Sequence, residues 1–207
     1  MEKELIKIFD YARNELGVAD REEVHKQGYW HEVFHCWFLS KDNNDNNLIL
    51  QLRSERKKEN PRLYDITAAG HLLANETVQD GVREVSEELG INVTFEELQP
   101  LGIIDYCSIQ GSYIDNEIAN VFLYQCHVPI EEFILQKEEV AGIVQVDFNY
   151  FRELWTGSKD EIRVVGYEIK QDGSKELINK LVGRNQFVPH PDGYYKTIIQ
   201  KIAEKIN

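Results

Sequence analysis

Residues 68–91 read AAGHLLANETVQDGVREVSEELGI, and the second half of that stretch decides what the chain folds into. From Arg83 onward, Glu84, Glu87 and Glu88 stand at i, i+3 and i+4, a spacing that puts three carboxylates on one face of a helix. Val82, Val85 and Leu89 share another face, suited to packing on a sheet. Gly90 is a natural helix stop, so the pattern predicts a helix over Val78–Leu89. Like charges one turn apart repel, and carboxylates kept together call for a cation. Hard oxygen ligands suit Mg²⁺ or Mn²⁺. The same spacing also fits an acidic face turned to solvent, and the helix alone leaves both readings open.

Working outward, Tyr64–Ala69 reads as a strand ending at Gly70. Before it, Leu5–Phe9, Val33–Leu39 and Leu48–Arg53 are strand candidates, and Asp20 is placed to cap a short helix over Arg21–Lys26. The Asn-rich stretch Asp42–Asn47 reads as a loop between two of these strands. After the carboxylate helix come the β-rich runs Leu101–Ile109, Ile118–His127 and Val140–Phe148, then a short helix over Tyr150–Trp155. Ile162–Ile169 and Lys175–Val182 flank Asp172-Gly173, a hairpin signal. Tyr194, Tyr195, Ile198, Ile199, Ile202 and Ile206 recur at helical spacing, predicting an amphipathic C-terminal helix. Its apolar stripe fits core contact, with a homodimer face as the alternative. Strands and helices together give an α+β or α/β domain.

Composition narrows the function classes. The chain has 207 residues, 42% hydrophobic and 29% charged, as expected of one soluble globular domain. No apolar run is long enough to cross a membrane, and the charged opening MEKELIKIFD lacks the pattern of a signal peptide, so a cytoplasmic location is expected. The net charge of −13 argues against long nucleic acid as partner, since the one basic cluster, Arg53–Lys58 with Arg62 beyond, is interrupted by glutamate. A small anionic ligand stays compatible with this charge, because local cations and a bound metal can outweigh it. Cys36, Cys107 and Cys126 lie far apart without zinc spacing, and each is expected to be a buried reduced thiol.

Gly70, Glu76, Arg83, Glu84, Val85, Glu87, Glu88, Gly90 and Ile91, in that order across a strand, loop and helix, resemble the Nudix box. The match departs from the box pattern by one missing residue between Glu76 and Arg83, so either Glu76 or Asn75 takes the position of the upstream glutamate. Gly28 to His31, His35 to Trp37, Gln51 to Ser54, Ala69 to His71, Asn116-Glu117 and Lys137 to Val140 look like the branch of this superfamily that holds type I isopentenyl diphosphate isomerases and their hydrolase-like relatives. The resemblance covers roughly residues 5–155.

It implies an α/β/α sandwich of the Nudix type: a mixed β-sheet flanked by helices in a single domain over 1–207. The box lies at 70–91, and an added C-terminal hairpin and helix occupy 156–207. It implies a Mg²⁺- or Mn²⁺-dependent hydrolase that cleaves a phosphoanhydride bond in a small diphosphate substrate by water attack on phosphorus. Glu84, Glu87 and Glu88 would hold the metal, and Arg83 would orient them or serve structure alone. Glu117 would be a ligand or general base, or an exposed loop acid. Arg53, Gly70 and His71 would face the substrate, and His25 and His31 would either form a second metal site with His71, with Asp115 and Glu117 as acids nearby, or serve as surface or hydrogen-bonded histidines. Residue 69 is alanine where the isomerases carry a catalytic cysteine. A methyl group moves no proton, which favours hydrolysis over isomerisation. A non-catalytic binding module would be expected to lack a box glutamate, and none is missing. His35 reads as a satisfied core histidine, Lys57 and Lys58 as solvated, and nothing nearby singles out His127 or His190. Tyr29 and Trp30 suit either core or a stacking surface.

Overall fold

The computed structural model describes residues 4–42 and 45–206. Asn43 and Asn44, inside the expected loop, lie outside that range. In chain order the elements are β1 (Leu5–Phe9), β2 (Glu15–Asp20), α1 (Arg21–Gln27), β3 (Trp30–Asp42), β4 (Asp45–Arg53), β5 (Tyr64–Asp65), β6 (Ala68–His71), α2 (Arg83–Leu89), β7 (Leu98–Gln110), β8 (Tyr113–Cys126), β9 (Val140–Asp147), α3 (Phe148–Thr156), β10 (Glu161–Ile169), β11 (Lys175–Gly183) and α4 (Asp192–Ile206).

β3 is the spine of one mixed sheet ordered β11-β10-β9-β4-β3-β1-β2. It runs parallel to β8 from Trp30↔Asn116 to Ser40↔Cys126. On its other side it pairs antiparallel with β6 over Val33–Cys36 and with β4 over Phe38–Asp42. Side chains alternate across a strand, and β3 obeys this. Val33, Trp37 and Leu39 enter the core under α3 and α4, while Phe34, Cys36 and Phe38 enter the core under α2. The sheet is therefore covered on both faces, the three-layer arrangement expected of an α+β chain. The α4 stripe of Tyr194, Tyr195, Ile198, Ile199 and Ile202 is buried in its own domain's core.

Several elements depart from expectation. The run Tyr64–Ala69 is two short strands, because β3 and β4 diverge there and Thr67 fills the gap. Thr67 Oγ1 accepts from Phe38 N at 2.9 Å and donates to Ile49 O at 2.5 Å. The predicted helix over 78–89 is α-helical only from Arg83, preceded by a 3-10 turn at Asp80–Val82. Gly81 there presses on Phe34, leaving no room for a β-carbon. The strand β2 and the full length of β7 and β8 were not foreseen. Cys36 and Cys126 are buried as expected, whereas Cys107 is exposed, since the far end of the β7–β8 ribbon extends beyond the core.

Candidate active site

Between α2, β6 and the outer parts of β7 and β8 lies a cleft of about 270 Å³. The box helix supplies its floor. Val85 and Leu89 are buried in the core, and this turns Glu84, Glu87 and Glu88 toward the cleft. Gly90, at φ 67°, ends the helix in the left-handed conformation. Glu88 is buried, and its Oε2 accepts from Ala69 N at 3.2 Å and Gln51 Nε2 at 3.3 Å. Burial, reinforced by Glu84, pushes the Glu88 carboxyl well above the usual range. Burial likewise pushes Glu84 up to about 7, against the pull of Arg83. Two adjacent carboxyls disfavoured as anions in this way are what a divalent cation would relieve, so the donor set fits a hard metal. Glu87 is the more exposed of the three, with a side chain 53% accessible.

Arg83 ties the box together. It grips both oxygens of Glu76 and donates to the carbonyl of His71 at 3.1 Å. It also lies 2.7 Å from Glu84 and 3.0 Å from Glu87. Glu76, not Asn75, is thus its partner despite the missing residue. Glu76 also accepts from Leu73 N at 2.8 Å.

Above the floor, α1, β3 and β6 bring His25, His31 and His71 together, with ring centroids 5.0 to 5.2 Å apart. Each Nδ1 faces an acceptor: Arg21 O at 2.7 Å, Tyr29 O at 3.1 Å and Glu4 Oε1 at 3.3 Å respectively. A ring nitrogen that donates there leaves the other nitrogen as a lone pair. All three Nε2 atoms then turn inward, with those of His25 and His71 3.3 Å apart. Facing lone pairs require a proton or a cation between them. Asp115 Oδ1 lies 3.3 Å from His25 Nε2 and 3.5 Å from His31 Nε2. Burial lowers His31 to about 3, which keeps the ring neutral, and among the described residues its Nε2 has no hydrogen-bond partner; nor do Asp115 Oδ1 and Glu117 Oε2. Nitrogen and carboxylate donors together suit a transition metal.

Glu117, at the base of β8, is buried 3.3 Å from His35 Nε2. Burial works to raise its pKa, yet His35, with help from Tyr106, holds it below the usual carboxylate range. Arg53 lines the cleft, but each of its nitrogens already donates once, to Asn60 O, Glu59 O and Asp65 Oδ2. What it has left for a phosphate is the second proton on each terminal nitrogen. Gly70 borders the floor, where a β-carbon would lie 2.1 Å from Glu84 Oε1. Tyr29 and Trp30 do not line the cleft.

Other lining residues were not foreseen. Lys57, read as solvated, faces the cleft and pairs with Glu139. Asp65, fully enclosed, binds His190 Nε2 at 2.8 Å and Arg53 Nη1 at 2.9 Å. Glu4 lies just before the first strand and Arg21 opens the first helix, and Tyr113 stacks on His25 at 4.4 Å. No local signal marks Glu4, Asp65 or His190 in the sequence.

No protein-family model matches the chain. The chain is 35% identical over 204 residues to an uncharacterized Nudix hydrolase of Clostridium acetobutylicum, covering 99% of each. It is 30% identical over 181 residues to Nudix hydrolase 3 of Arabidopsis thaliana, covering 84% of this chain and 23% of that protein. Similarity to isopentenyl-diphosphate Delta-isomerase 2 of Photorhabdus laumondii is 23% over 158 residues, 76% of this chain and 85% of that one. Among solved structures, DR0079 of Deinococcus radiodurans matches with a TM-score of 0.56 at 16% identity, over 74% of this chain and 90% of that chain. A MutT/nudix family protein of Enterococcus faecalis matches at 0.52 and 13% identity, over 84% of this chain and 61% of that chain. At such identities these two speak for the fold.

Proposed function

Because this chain belongs to the Nudix hydrolase family, as an enzyme of the pyrophosphohydrolase type, we propose that it cleaves a phosphoanhydride bond in a small diphosphate-containing substrate by water attack on phosphorus. The observation that carries this reading is the pair of carboxyls, half-buried Glu84 and buried Glu88, set side by side at the floor of the cleft with Arg83 beside them. Glu84, Glu87 and Glu88 hold Mg²⁺ or Mn²⁺, which when bound polarises a phosphoryl oxygen and acidifies water. Arg83 orients the glutamates, gripping Glu76 with one edge of its guanidinium and reaching Glu84 and Glu87 with the other. Glu117 acts as a further ligand or takes the proton of the attacking water. Gly70, His71 and the remaining donors of Arg53 face the phosphates. His25 and His31, with His71, form a second metal site, supported by the three converging Nε2 atoms.

Isomerisation is disfavoured by Ala69, whose methyl group carries no proton. Among the described residues no helix is long and apolar enough to cross a membrane, and a cytoplasmic location belongs to the same proposal. The test is a screen of nucleoside diphosphate derivatives and prenyl diphosphates with Mg²⁺ and Mn²⁺, followed by Glu84→Gln on the substrate found. The variant keeps side-chain size and removes a half-buried charge, so circular dichroism should stay native. Hydrolysis should fall on the order of a hundredfold, as for loss of a metal ligand or general base. A folded Glu84→Gln enzyme with wild-type turnover would remove the carboxylate helix from the chemistry.

A further inference from the structure

We propose that His35 and Tyr194 position Glu117, so that the C-terminal helix α4 is part of the active-site apparatus. The three side chains come from three elements. His35 stands on the spine strand β3, Glu117 on β8 and Tyr194 near the start of α4. All three are buried. The Tyr194 hydroxyl lies 2.8 Å from His35 Nδ1, and Trp37 Nε1 lies 3.4 Å from the same hydroxyl. An indole N–H can only donate, so the Tyr194 oxygen accepts from Trp37. Its own proton is then available to His35 Nδ1, the direction the relay takes. With Nδ1 accepting in this way, the ring carries its proton on Nε2, 3.3 Å from Glu117 Oε2. Tyr106 closes the group from β7, its ring 5.3 Å from Tyr194 and 6.4 Å from His35.

Among the described residues Glu117 Oε2 has no fully formed hydrogen bond. Its direction therefore depends on the imidazole of His35 together with the Tyr106 phenol beside it, and the imidazole's direction depends on the Tyr194 phenol behind it. Buried polar chains of this kind lock a side chain whose own rotamers are free. His35 and Tyr194 are positioning residues here: His35 borders the cleft beside Glu117, and Tyr194 acts on it from behind. The proposal rests on the assignment of Glu117 to the hydrolytic site made above. It gives a task to α4, which lies beyond the part of the chain that carries family motifs.

Tyr194→Phe removes one hydroxyl and keeps the ring that fills the core. The expected result is a kcat about tenfold lower, in the range for loss of an outer-shell partner, with KM within about twofold of wild type and an intact circular dichroism spectrum. His35→Gln keeps a donor toward Glu117 and should retain more activity than His35→Ala. Nitrogen-15 spectra of the imidazoles, with His35 assigned through His35→Gln, give a readout independent of turnover. The wild-type ring should carry its proton on Nε2, and Tyr194→Phe should shift that signal. A folded Tyr194→Phe enzyme with wild-type kcat, or a wild-type His35 protonated on Nδ1 alone, overturns the relay while leaving the hydrolase assignment standing if Glu84→Gln is inactive. If the wild type hydrolyses nothing in the screen, the hydrolase assignment fails, and the imidazole spectra still decide whether the relay exists.

Discussion

Gly70 and the carboxylate of Glu84 compete for one small volume. A methyl group on Gly70 would lie 2.1 Å from Oε1 and 2.2 Å from the carboxyl carbon of Glu84, so Gly70→Ala must drive that carboxylate away. Hydrolysis should fall at least about tenfold, because a metal ligand displaced by an ångström no longer completes its shell. The buried residues beneath, Val85 and Leu89, are untouched, and the circular dichroism spectrum should stay native. Steady-state kinetics beside that spectrum checks this; a fully active Gly70→Ala enzyme would mean that Glu84 does not work from where it sits. At this scale, what could be read in advance was what helical spacing makes local. Glu84, Glu87 and Glu88 announce a shared face without any other part of the chain. His35 and Asp65 do not, because their meaning lies in partners far along the chain, Tyr194 and His190. His35 was rightly read as a buried, hydrogen-bonded histidine, but nothing local could reveal that its other nitrogen faces Glu117.

Among the elements, the informative join is where β3 and β4 part. Thr67 bridges that fork, taking the amide proton of Phe38 and giving its own to the carbonyl of Ile49. Thr67→Val keeps the shape and removes both bonds, leaving a buried N–H and a buried C=O without partners. The expected cost is about 2–4 kcal/mol, from two unsatisfied buried groups, read as a lower urea midpoint with unchanged slope. A loss below about 0.5 kcal/mol, the scale of an ordinary surface substitution, would mean the fork is held by packing alone. The fork explains why a continuous strand over Tyr64–Ala69 was the wrong expectation: the apolar pattern is right, but one threonine serves two neighbouring strands and interrupts pairing. The shortened box helix has a similar origin. Its sequence pattern is helical from Val78, yet Thr77 and Asp80 hold one another through backbone and side chain, and the chain makes a 3-10 turn before the α-helix begins.

For the molecule as a whole, the charge of −13 and the crowding of carboxylates in one cleft make cations the natural stabilising ligand. A ligand that binds the folded state alone raises its stability by about 2.7 kcal/mol at a hundred times its Kd. Mg²⁺ or Mn²⁺ should therefore raise the melting temperature by several degrees, and EDTA should reverse the shift. Glu87→Gln with Glu88→Gln should remove most of it; an undiminished shift in that double variant would place the cation elsewhere. The layered α+β architecture, the hairpin at Asp172-Gly173 and the final helix were legible from alternation and turn chemistry. The parallel pairing of β3 with β8 was not, because periodicity identifies a strand without naming its neighbour.

The enclosure of Tyr194 against His35 has a consequence in time. Box helix, β3 and β6 lie within a short span of sequence, whereas the contact between α4 and β3 joins distant parts of the chain. Long-range contacts form late, since their loop-closure entropy is met only after the local structure is in place. Until α4 docks, His35 on β3 lacks the Tyr194 hydroxyl at its Nδ1. The proposed relay to Glu117 would then be complete only once residues 192–206 have settled onto the sheet, so full turnover would trail the assembly of the rest of the site.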